Sequence, residues 1–435
     1  MKKVYLETYG CQMNEYDSEL VKSILKKENY KFTDSSKDAD VVLLNTCSIR
    51  ENANRKIYNR ISQIQHEKNG NGVKIGILGC MATNFRKDLL ENPKLPIDFV
   101  AGPDSYKRLS QLIEKVDTGE KGFDVTLSEF ETYSDVYPTR DDGINAWIAV
   151  MRGCDNFCTF CVVPYTRGRE RSRSPENVIA EVKRLVSEGF KQVTLLGQNV
   201  NSYKYEGKDF AYLLECISEV NGIERIRFTS PHPKDFPLNL LKVIVENPKV
   251  CKHIHLPIQS GNDRILNLMN RTYTQTEYLT LVDKIRGMYP EMVLTTDFIV
   301  GFPTETNEDF EETYRIMEDV EYDSAFIFKY SERPQTMAKR KYSDDVSEQK
   351  KTERIVKLNE LQNRISYKKN LSHIGQVHDV LIEQEKTKKS DHDYQGRDDG
   401  NKIVIIPKGP YQKGQIVKVK IMEATPHVLK GIVLQ

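Results

Sequence analysis

Three cysteines near the middle of the chain are the residues best suited to bind a metal. Cys154, Cys158 and Cys161 have the spacing C-x3-C-x2-C, and no fourth cysteine follows nearby. A structural zinc site usually has four protein ligands, often as two separated C-x2-C pairs. Because a four-iron cubane needs four ligands, three thiolates leave one iron open to a small molecule. The motif therefore predicts a reactive iron–sulfur centre, with an incomplete zinc knuckle or unrelated buried thiols as the alternative.

A second set of cysteines lies in the first hundred residues. Each follows a predicted strand: Cys11 after residues 4–8, Cys47 after 41–45, and Cys80 after 74–78. Because the carboxyl ends of parallel strands meet at one edge of a sheet, these thiols are expected to converge. The pattern predicts a second cluster of three thiolates, and three buried packing thiols are the alternative. Cys216 and Cys251 are expected to be inert packing thiols.

The elements around the second set alternate between strands and amphipathic helices. Residues 17–27 place Leu20, Val21, Ile24 and Leu25 on one helical face, and residues 98–101 form a further apolar strand. This alternation predicts an α/β domain with a doubly wound parallel sheet at residues 1–118. Residues 115–143 are polar and have no sustained period, which indicates a domain boundary.

From residue 147 the alternation of strand and helix repeats six times. The predicted strands are 147–151, 192–197, 225–229, 253–258, 293–299 and 325–330, and the predicted helices lie near 175–188, 210–220, 236–246, 274–288 and 307–319. Six such units predict a partial parallel (βα)6 barrel whose chemistry lies at the carboxyl ends of its strands. A long charged helix at 345–369 ends this domain, which spans residues 140–369.

The last part of the chain has a different pattern. Short predicted strands are separated by turns rich in Gly, Pro and Asp: 377–382, 402–406, 414–421 and 427–433. They predict a small antiparallel β-barrel at residues 371–435. Its ten Lys and Arg against eight Asp and Glu allow only a modest basic face.

Composition narrows the class of protein. The 64 Lys and Arg nearly cancel the 63 Asp and Glu, so the net charge gives no evidence about nucleic acid, and any basic surface must be local. The start of the chain lacks the apolar core of a secretory signal, and no window approaches 18 apolar residues. We therefore expect no membrane association, a reducing cytoplasmic compartment, and eight cysteines that serve as ligands or buried thiols.

A C-x3-C-x2-C motif after the first strand of a six-unit barrel resembles the radical S-adenosylmethionine (SAM) enzymes. The resemblance implies that the three cysteines hold a [4Fe–4S] cluster and that SAM chelates the open iron. Reductive cleavage of SAM would then give a 5′-deoxyadenosyl radical that abstracts a hydrogen atom. Residues at the strand ends would shape the SAM pocket, with ordinary loop capping as the alternative. The candidates are Gln198, Asn199, Ser230 and Gln259.

The sequence around the cysteines resembles one group within that superfamily, the methylthiotransferases. The similar segments are TYGCQMN at 8–14, NTCSIRENA at 45–53, GCMA at 79–82 and CVVPYTRGRERSR at 161–173. Among the methylthiotransferases, the branch that acts on isopentenylated adenosine beside the tRNA anticodon is the most similar. The resemblance covers essentially the whole chain, and the C-terminal barrel resembles a TRAM RNA-binding module.

This resemblance implies two [4Fe–4S] clusters and two uses of SAM, as methyl donor and as radical source. Cys11, Cys47 and Cys80 would hold an auxiliary cluster that presents the sulfur, and the N-terminal domain would pack over the barrel mouth. The implied partners are tRNA containing N6-isopentenyladenosine, a reducing electron donor and a sulfur source.

Two other functions remain open. Related branches act on threonylcarbamoyladenosine in tRNA or on an aspartate of a ribosomal protein, and residues 48–52 favour the isopentenyladenosine branch over both. A non-enzymatic RNA-binding iron–sulfur redox sensor is the other alternative, although a sensor needs no SAM pocket.

Arginines and aromatic residues supply the candidate substrate contacts. Arg167, Arg169, Arg171 and Arg173 alternate along a segment that we expect to be extended, so all four would share one face. We predict that Arg167 and Arg169 bind substrate through charged hydrogen bonds, with a solvated basic loop as the alternative. A second alternating set is predicted to face the core and a loop, and stacking on an RNA base is its alternative. Its members are Phe326, Phe328 and Tyr330.

Overall fold

The computed structural model describes residues 1–48, 51–67, 72–140 and 143–434. Ile49 and Arg50 belong to the segment that favours the isopentenyladenosine branch, and they lie outside the described residues. The predicted boundaries at residues 118, 140, 369 and 371 stay predictions.

The N-terminal region is a six-stranded parallel sheet with helices on both faces. Its strands are β1 (Lys3–Thr8), β2 (Lys31–Phe32), β3 (Val41–Thr46), β4 (Lys74–Gly79), β5 (Phe99–Ala101) and β6 (Gly122–Asp124). Its helices are α1 (Gln12–Lys27), α2 (Glu51–Glu67), α3 (Cys80–Asn84), α4 (Arg86–Glu91) and α5 (Leu109–Asp117). The strand order is β2-β1-β3-β4-β5-β6, and every pair is parallel. Separate apolar clusters cover the two faces, which confirms the doubly wound sheet.

The central region contains the six predicted parallel strands and several two-residue strands. The strands are β7 (Asn145–Ala149), β8 (Met151–Arg152), β9 (Arg171–Ser172), β10 (Gln192–Leu196), β11 (Lys204–Tyr205), β12 (Lys208–Asp209), β13 (Arg225–Phe228), β14 (His253–His255), β15 (Val293–Val300) and β16 (Ser324–Lys329). The barrel strands form two sheets of three, ordered β13-β10-β7 and β14-β15-β16. An isolated parallel bridge connects Ile226 of β13 to Val250, which lies three residues before β14, and so links the two sheets. The partial (βα)6 barrel is therefore confirmed.

Helices pack around these strands. They are α6 (Val163–Arg167), α7 (Pro175–Ser187), α8 (Phe210–Ser218), α9 (Leu238–Glu246), α10 (Asp263–Leu268), α11 (Gln275–Met288), α12 (Asn307–Val320), α13 (Met337–Lys341) and α14 (Glu348–Leu371). Polar caps determine where several of them begin. The Thr274 side chain accepts from the Glu277 backbone in a capping box before α11, and Ser174 caps α7 just before a proline. Such caps also determine where the loops above the strands end.

The C-terminal region is a closed five-stranded barrel. Its strands are β17 (Val377–Gln384), β18 (Asp393–Arg397), β19 (Ile403–Pro407), β20 (Ile416–Ala424) and β21 (Leu429–Val433). The order is β17-β18-β19-β21-β20, with β19 and β21 parallel and the other pairs antiparallel. The predicted barrel is confirmed, but β18 was not among the predicted strands. Its polar sequence has only Gly396 fully buried, so it carries no apolar alternation.

Both terminal regions pack on the central barrel. Trp147, Ala149 and Leu196 of the barrel belong to the apolar cluster of the N-terminal sheet. On the C-terminal side, the buried Arg225 and Arg227 of β13 donate to backbone carbonyls of the small barrel. The acceptors are the carbonyls of Asp379, Arg397, Asp398 and Asp399. Because charged donors bind these carbonyls, the C-terminal barrel is firmly attached.

Candidate active site

The loop that carries Cys154, Cys158 and Cys161 follows the first barrel strand and β8. The backbone N–H of Cys161 donates to the Cys158 carbonyl at 2.9 Å, and the Val163 N–H donates to the Cys161 Sγ at 3.5 Å. Burial raises the pKa of the Cys154 thiol to about 12, and the neighbouring Cys158 adds to this increase. Burial, followed by the charges of Cys158 and Cys154, also raises the pKa of Cys161. The three thiols therefore lie close enough to interact.

A glycine lets this loop fold tightly onto the segment that follows it. Gly153 has φ +80°, and a Cβ there would lie 1.9 Å from the backbone oxygen of Arg169. The next residue, Cys154, donates its N–H to the Gly168 carbonyl at 3.1 Å. Only glycine fits this close approach at this φ.

The second set of cysteines lies at the carboxyl edge of the N-terminal sheet. Cys11, Cys47 and Cys80 follow β1, β3 and β4, which are neighbouring parallel strands. A hydrogen bond with the Cys47 thiol lowers the pKa of Cys11 to about 6. The positive charge of Arg167 adds to this lowering. The sheet thus gathers three thiols that are distant in sequence, and their role as cluster ligands stays a prediction.

Two glycines make this edge compact. A Cβ on Gly10 would lie 2.7 Å from the Cβ of Cys47, and a Cβ on Gly79 would lie 2.6 Å from the Asn45 Oδ1. Both glycines have positive φ, at +143° and +84°. Each directly precedes a cysteine, so the close approach of the backbone sets where that thiol lies.

Arg167 was predicted to contact the substrate, but in the structure it lies in the protein interior. It ends α6 and is only 3% exposed. Its Nε donates to the Cys80 Sγ at 3.2 Å, and its Nη2 donates to the Asp17 Oδ2 at 2.8 Å. Because these partners bury the guanidinium, no open face remains for a phosphate. The residue instead links the barrel to the second cysteine set.

The four alternating arginines do not share one face, contrary to the expectation. The segment begins with the helix Val163–Arg167 and is not extended throughout. Arg171 and Arg173 are buried together with Arg167, whereas the side chain of Arg169 is 69% exposed. Its Nε pairs with the Asp155 Oδ1 at 2.6 Å, within the first cysteine loop. A substrate contact by Arg169 stays a prediction.

The predicted SAM-pocket residues lie at the carboxyl ends of the barrel strands. Asn199 donates its Nδ2 to the Asp235 Oδ2 at 3.2 Å. Within the described part of the chain, the buried Oδ1 of Asn199 and Oε1 of Gln198 have no hydrogen-bond partner. Ser230 and Gln259 adopt positive φ, at +60° and +76°, and the Gln259 N–H donates to the Asp297 carbonyl. Their contacts with SAM stay predictions.

A buried arginine beside the first cysteine set was missed from the sequence. The Nη1 of Arg271 donates to the Cys158 Sγ at 3.4 Å, and its Nε donates to the Tyr273 hydroxyl at 3.0 Å. Burial, followed by the charge of Arg271, lowers the pKa of the nearby His232 to about 2, so this imidazole is neutral. Arg271 lies in a loop after α10 and belongs to no motif or periodic pattern, so no sequence signal identified it.

The three alternating aromatic residues lie in β16 or, for Tyr330, directly after it, and they have different environments. Tyr330 is buried, as expected for a core residue, but Phe326 is 53% exposed. The Phe326 ring meets the His255 ring edge to face at 6.1 Å. Phe326 pairs in register with Asp297 of β15, so the two side chains lie on the same face of the sheet.

The two sets of thiols suit iron–sulfur clusters. No three His, Cys, Asp or Glu side chains of the described ranges form a ready-made site for a single metal ion. A cubane binds each thiolate through a different iron, so its ligands surround a larger body than one ion. A guanidinium lies against a cysteine of each set, Arg271 at Cys158 and Arg167 at Cys80. Such cations stabilise thiolates, which are the form that binds iron.

Known proteins share this architecture. Three family models match the chain: the Radical SAM superfamily at residues 148–317, the uncharacterized protein family UPF0004 at 3–102, and the TRAM domain at 371–434. The fold is similar to that of TsrM, a radical S-adenosylmethionine methyltransferase from Kitasatospora setae. The TM-score is 0.58 at 13% identity, covering 78% of this chain and 77% of that chain. A similar fold occurs in the cobalamin-dependent S-adenosylmethionine radical enzyme OxsB, with a TM-score of 0.55 at 13% identity, covering 78% and 54%. Fold and site together define a radical SAM protein.

Curated relatives identify the family within this class. A tRNA-2-methylthio-N(6)-dimethylallyladenosine synthase of Phocaeicola vulgatus is 46% identical over 438 residues, covering 99% of this chain and 95% of the relative. The enzyme of the same name from Porphyromonas gingivalis is 45% identical over 444 residues, covering 100% and 95%. The chain therefore belongs to the family of tRNA-2-methylthio-N(6)-dimethylallyladenosine synthases, which confirms the resemblance read from the cysteine segments. No helix within the described ranges has the length and apolar character needed to cross a membrane.

Proposed function

We propose that this protein is a tRNA methylthiotransferase that places a methylthio group on C2 of N6-isopentenyladenosine beside the anticodon. The main structural support for the proposal is that one residue, Arg167, connects the two cysteine sets. Arg167 follows the first set along the chain and donates to Cys80 of the second set. Such an arrangement suits a reaction in which one site generates a radical and the other supplies sulfur.

Two [4Fe–4S] clusters and SAM are the cofactors. When bound, they supply the sulfur, the methyl group and the radical that removes the C2 hydrogen. Cys154, Cys158 and Cys161 hold one cluster, and the second set holds the other. The protein's own contribution is to bury the thiols and to keep water away from the reacting carbon. Cys47, Cys80, Cys154 and Cys158 are all buried.

The SAM contacts are proposed from acceptors that lack partners. The buried Oε1 of Gln198 and Oδ1 of Asn199 suit the amine or ribose hydroxyl donors of SAM, because an unpaired buried acceptor is unfavourable. Ser230 and Gln259 contribute backbone groups held at positive φ.

The substrate contacts are proposed from exposed residues. The target base stacks on the exposed face of Phe326, since aromatic stacking supplies about 1–3 kcal/mol per base. Arg169 binds a phosphate of the anticodon loop, and the TRAM barrel binds neighbouring RNA. Arg167 does not contact the substrate, because its guanidinium is buried.

The remaining partners are a reducing electron donor and a sulfur source that restores the auxiliary cluster. We place the protein in the cytoplasm. All eight cysteines are free thiols in the structure, which suits a reducing compartment.

Mass spectrometry of tRNA nucleosides tests the proposal. Cells that lack the protein are expected to lose 2-methylthio-N6-isopentenyladenosine and to accumulate the unmodified isopentenyl nucleoside, with restoration by the intact gene. Loss of the methylthiolated threonylcarbamoyl nucleoside, or of the modified ribosomal aspartate, would instead assign the protein to another branch. A reconstituted, reduced protein that forms no 5′-deoxyadenosine from SAM would favour the redox sensor.

A further inference from the structure

The interface between the N-terminal sheet and the barrel contains more buried cations than buried anions. Arg152 and Arg167 share the carboxylate of Asp17 at 2.9 Å and 2.8 Å, and Arg171 pairs with Asp104 at 3.0 Å. All five residues are buried. Three guanidinium groups thus face two carboxylates, and one positive charge remains without a carboxylate. Because an unpaired buried charge is strongly destabilising, another anion must complete the group.

Arg167 brings this excess charge to the second cysteine set. Its Nε is 3.2 Å from the Cys80 Sγ. Its Nη1 is buried and has no acceptor among the residues that the structure describes. The guanidinium therefore has both charge and a free donor at the place where the thiolates gather.

The same residue is connected to the first cysteine set through a short helix. Helix α6 begins two residues after Cys161 and ends at Arg167, and it packs against α3, which begins at Cys80. The five residues of this helix, at a rise of ~1.5 Å each, span only about 7.5 Å. Cys161 and Arg167 are thus the two ends of one compact connector, and each end meets a different cysteine set.

We propose that Arg167 is a positioning residue, which holds the auxiliary cluster site against the radical site and raises the reduction potential of the auxiliary cluster. A positive charge and N–H donors near cluster sulfur favour the more electron-rich state, because they offset its negative charge. The inference rests on the proposed function, since it assumes that Cys11, Cys47 and Cys80 hold a cluster.

Potentiometric electron paramagnetic resonance on the full-length reconstituted protein tests this role. The measurement uses a background in which Cys154, Cys158 and Cys161 are all changed to Ala, so that the signal reports the auxiliary cluster alone. Arg167→Gln is expected to shift the midpoint potential to a more negative value, and Arg167→Lys is expected to shift it less because the charge remains. Arg173→Gln is the matched control, because Arg173 is also buried and paired with a carboxylate but contacts no cysteine.

The activity readout uses the chain with all its cysteines. Arg167→Gln is expected to lower the methylthiolated product formed per 5′-deoxyadenosine by about tenfold or more, the usual effect of losing a partner of a metal ligand. Arg184→Gln, on the exposed surface of α7, is expected to retain the wild-type ratio.

An unchanged midpoint potential in Arg167→Gln with full iron content would overturn the inference, as would an equal shift in Arg173→Gln. If the Arg167→Gln protein loses its iron, the Arg167→Lys protein is expected to retain it. Equal loss of iron in both variants would show that Arg167 acts only through packing, and this result would also overturn the inference. Absence of iron from the triple-alanine background with Arg167 intact would instead contradict the proposed function.

Discussion

The two cysteine sets are built in opposite ways. The first occupies one loop of eight residues, whereas the second is assembled from the ends of three neighbouring strands. In the first set, burial raises the pKa of Cys154 to about 12. In the second set, the hydrogen bond from Cys47 lowers the pKa of Cys11 to about 6. The spacing of the first set is therefore a property of one short segment. The geometry of the second set depends in addition on how the strands and helices around it pack.

The two sets share two structural devices. A glycine with positive φ precedes Cys154 in the first set, and glycines precede Cys11 and Cys80 in the second. A buried arginine from another part of the chain donates to one cysteine of each set. The glycine allows the backbone to approach the sulfur closely, and the arginine places a positive charge beside it. Thiolate ligands require both, whether the site is built from one loop or from several strands.

The largest expected effects come from replacing one cysteine of each set, because the two replacements should change different reaction products. Cys158→Ala is expected to abolish both 5′-deoxyadenosine and methylthiolated product. Cys47→Ala is expected to retain SAM cleavage but to lower the product by more than about 100-fold, because a ligand should matter more than its hydrogen-bond partners. Chromatography of the nucleosides measures both products. Cys216→Ala, in helix α8 and outside both sets, is the control. Wild-type product from Cys47→Ala would contradict the sulfur-donor assignment.

The next largest effect tests whether the second set depends on the interface. Asp17→Asn leaves Arg152 and Arg167 without their shared carboxylate, which we expect to destabilise the fold by about 3–5 kcal/mol. The shift in the urea unfolding curve measures this change. Glu15→Gln is the matched control, because Glu15 lies on the exposed side of the same helix and should change stability by less than about 0.5 kcal/mol. An equal shift in both variants would show that the buried pairing is unimportant.

The glycines allow each set to be disturbed separately. We expect Gly79→Ala to lower iron binding at the second set alone and Gly153→Ala to lower it at the first alone. Their φ values are similar, at +84° and +80°, so each variant carries about 1–3 kcal/mol of backbone strain plus a clash with neighbouring atoms. Gly189→Ala is the control, since Gly189 has φ +95° but no atom within 4 Å of the added Cβ. Iron analysis of each variant identifies the affected set when it is done in two backgrounds. In one background Cys154, Cys158 and Cys161 are changed to Ala, and in the other Cys11, Cys47 and Cys80 are changed to Ala. Loss at both sets in either variant would argue against separate sites.

The smallest effect concerns the exposed arginine of the first loop. Arg169→Gln is expected to weaken tRNA binding a few-fold and to reduce the slope of log affinity against log salt concentration by about 1, as for the loss of one phosphate contact. Stability should hardly change, because the pair with Asp155 is exposed to solvent. A salt titration of tRNA binding measures the slope, with Arg184→Gln as the control. An unchanged slope would contradict the predicted contact.

Most of the fold could be predicted from the sequence, because its strands and helices carry strong periodic patterns. The strand β3, for example, is buried along its whole length, and its first four residues form a continuous apolar run. The strand β18 could not be predicted, because it closes a barrel through backbone pairing while its side chains stay polar. Arg225 and Arg227 likewise gave no sign that they would bind carbonyls of the C-terminal barrel.

The sequence by itself determined which thiols are available and how the first three are spaced. It also placed Cys11, Cys47 and Cys80 at the ends of parallel strands, which is enough to make them converge. Only the tertiary structure decided what surrounds them. Arg167 and Arg169 are two residues apart and of the same type, yet one is buried against Cys80 and the other is exposed. The physical reason is that burial depends on which distant elements pack against a residue, and local spacing carries no record of those elements.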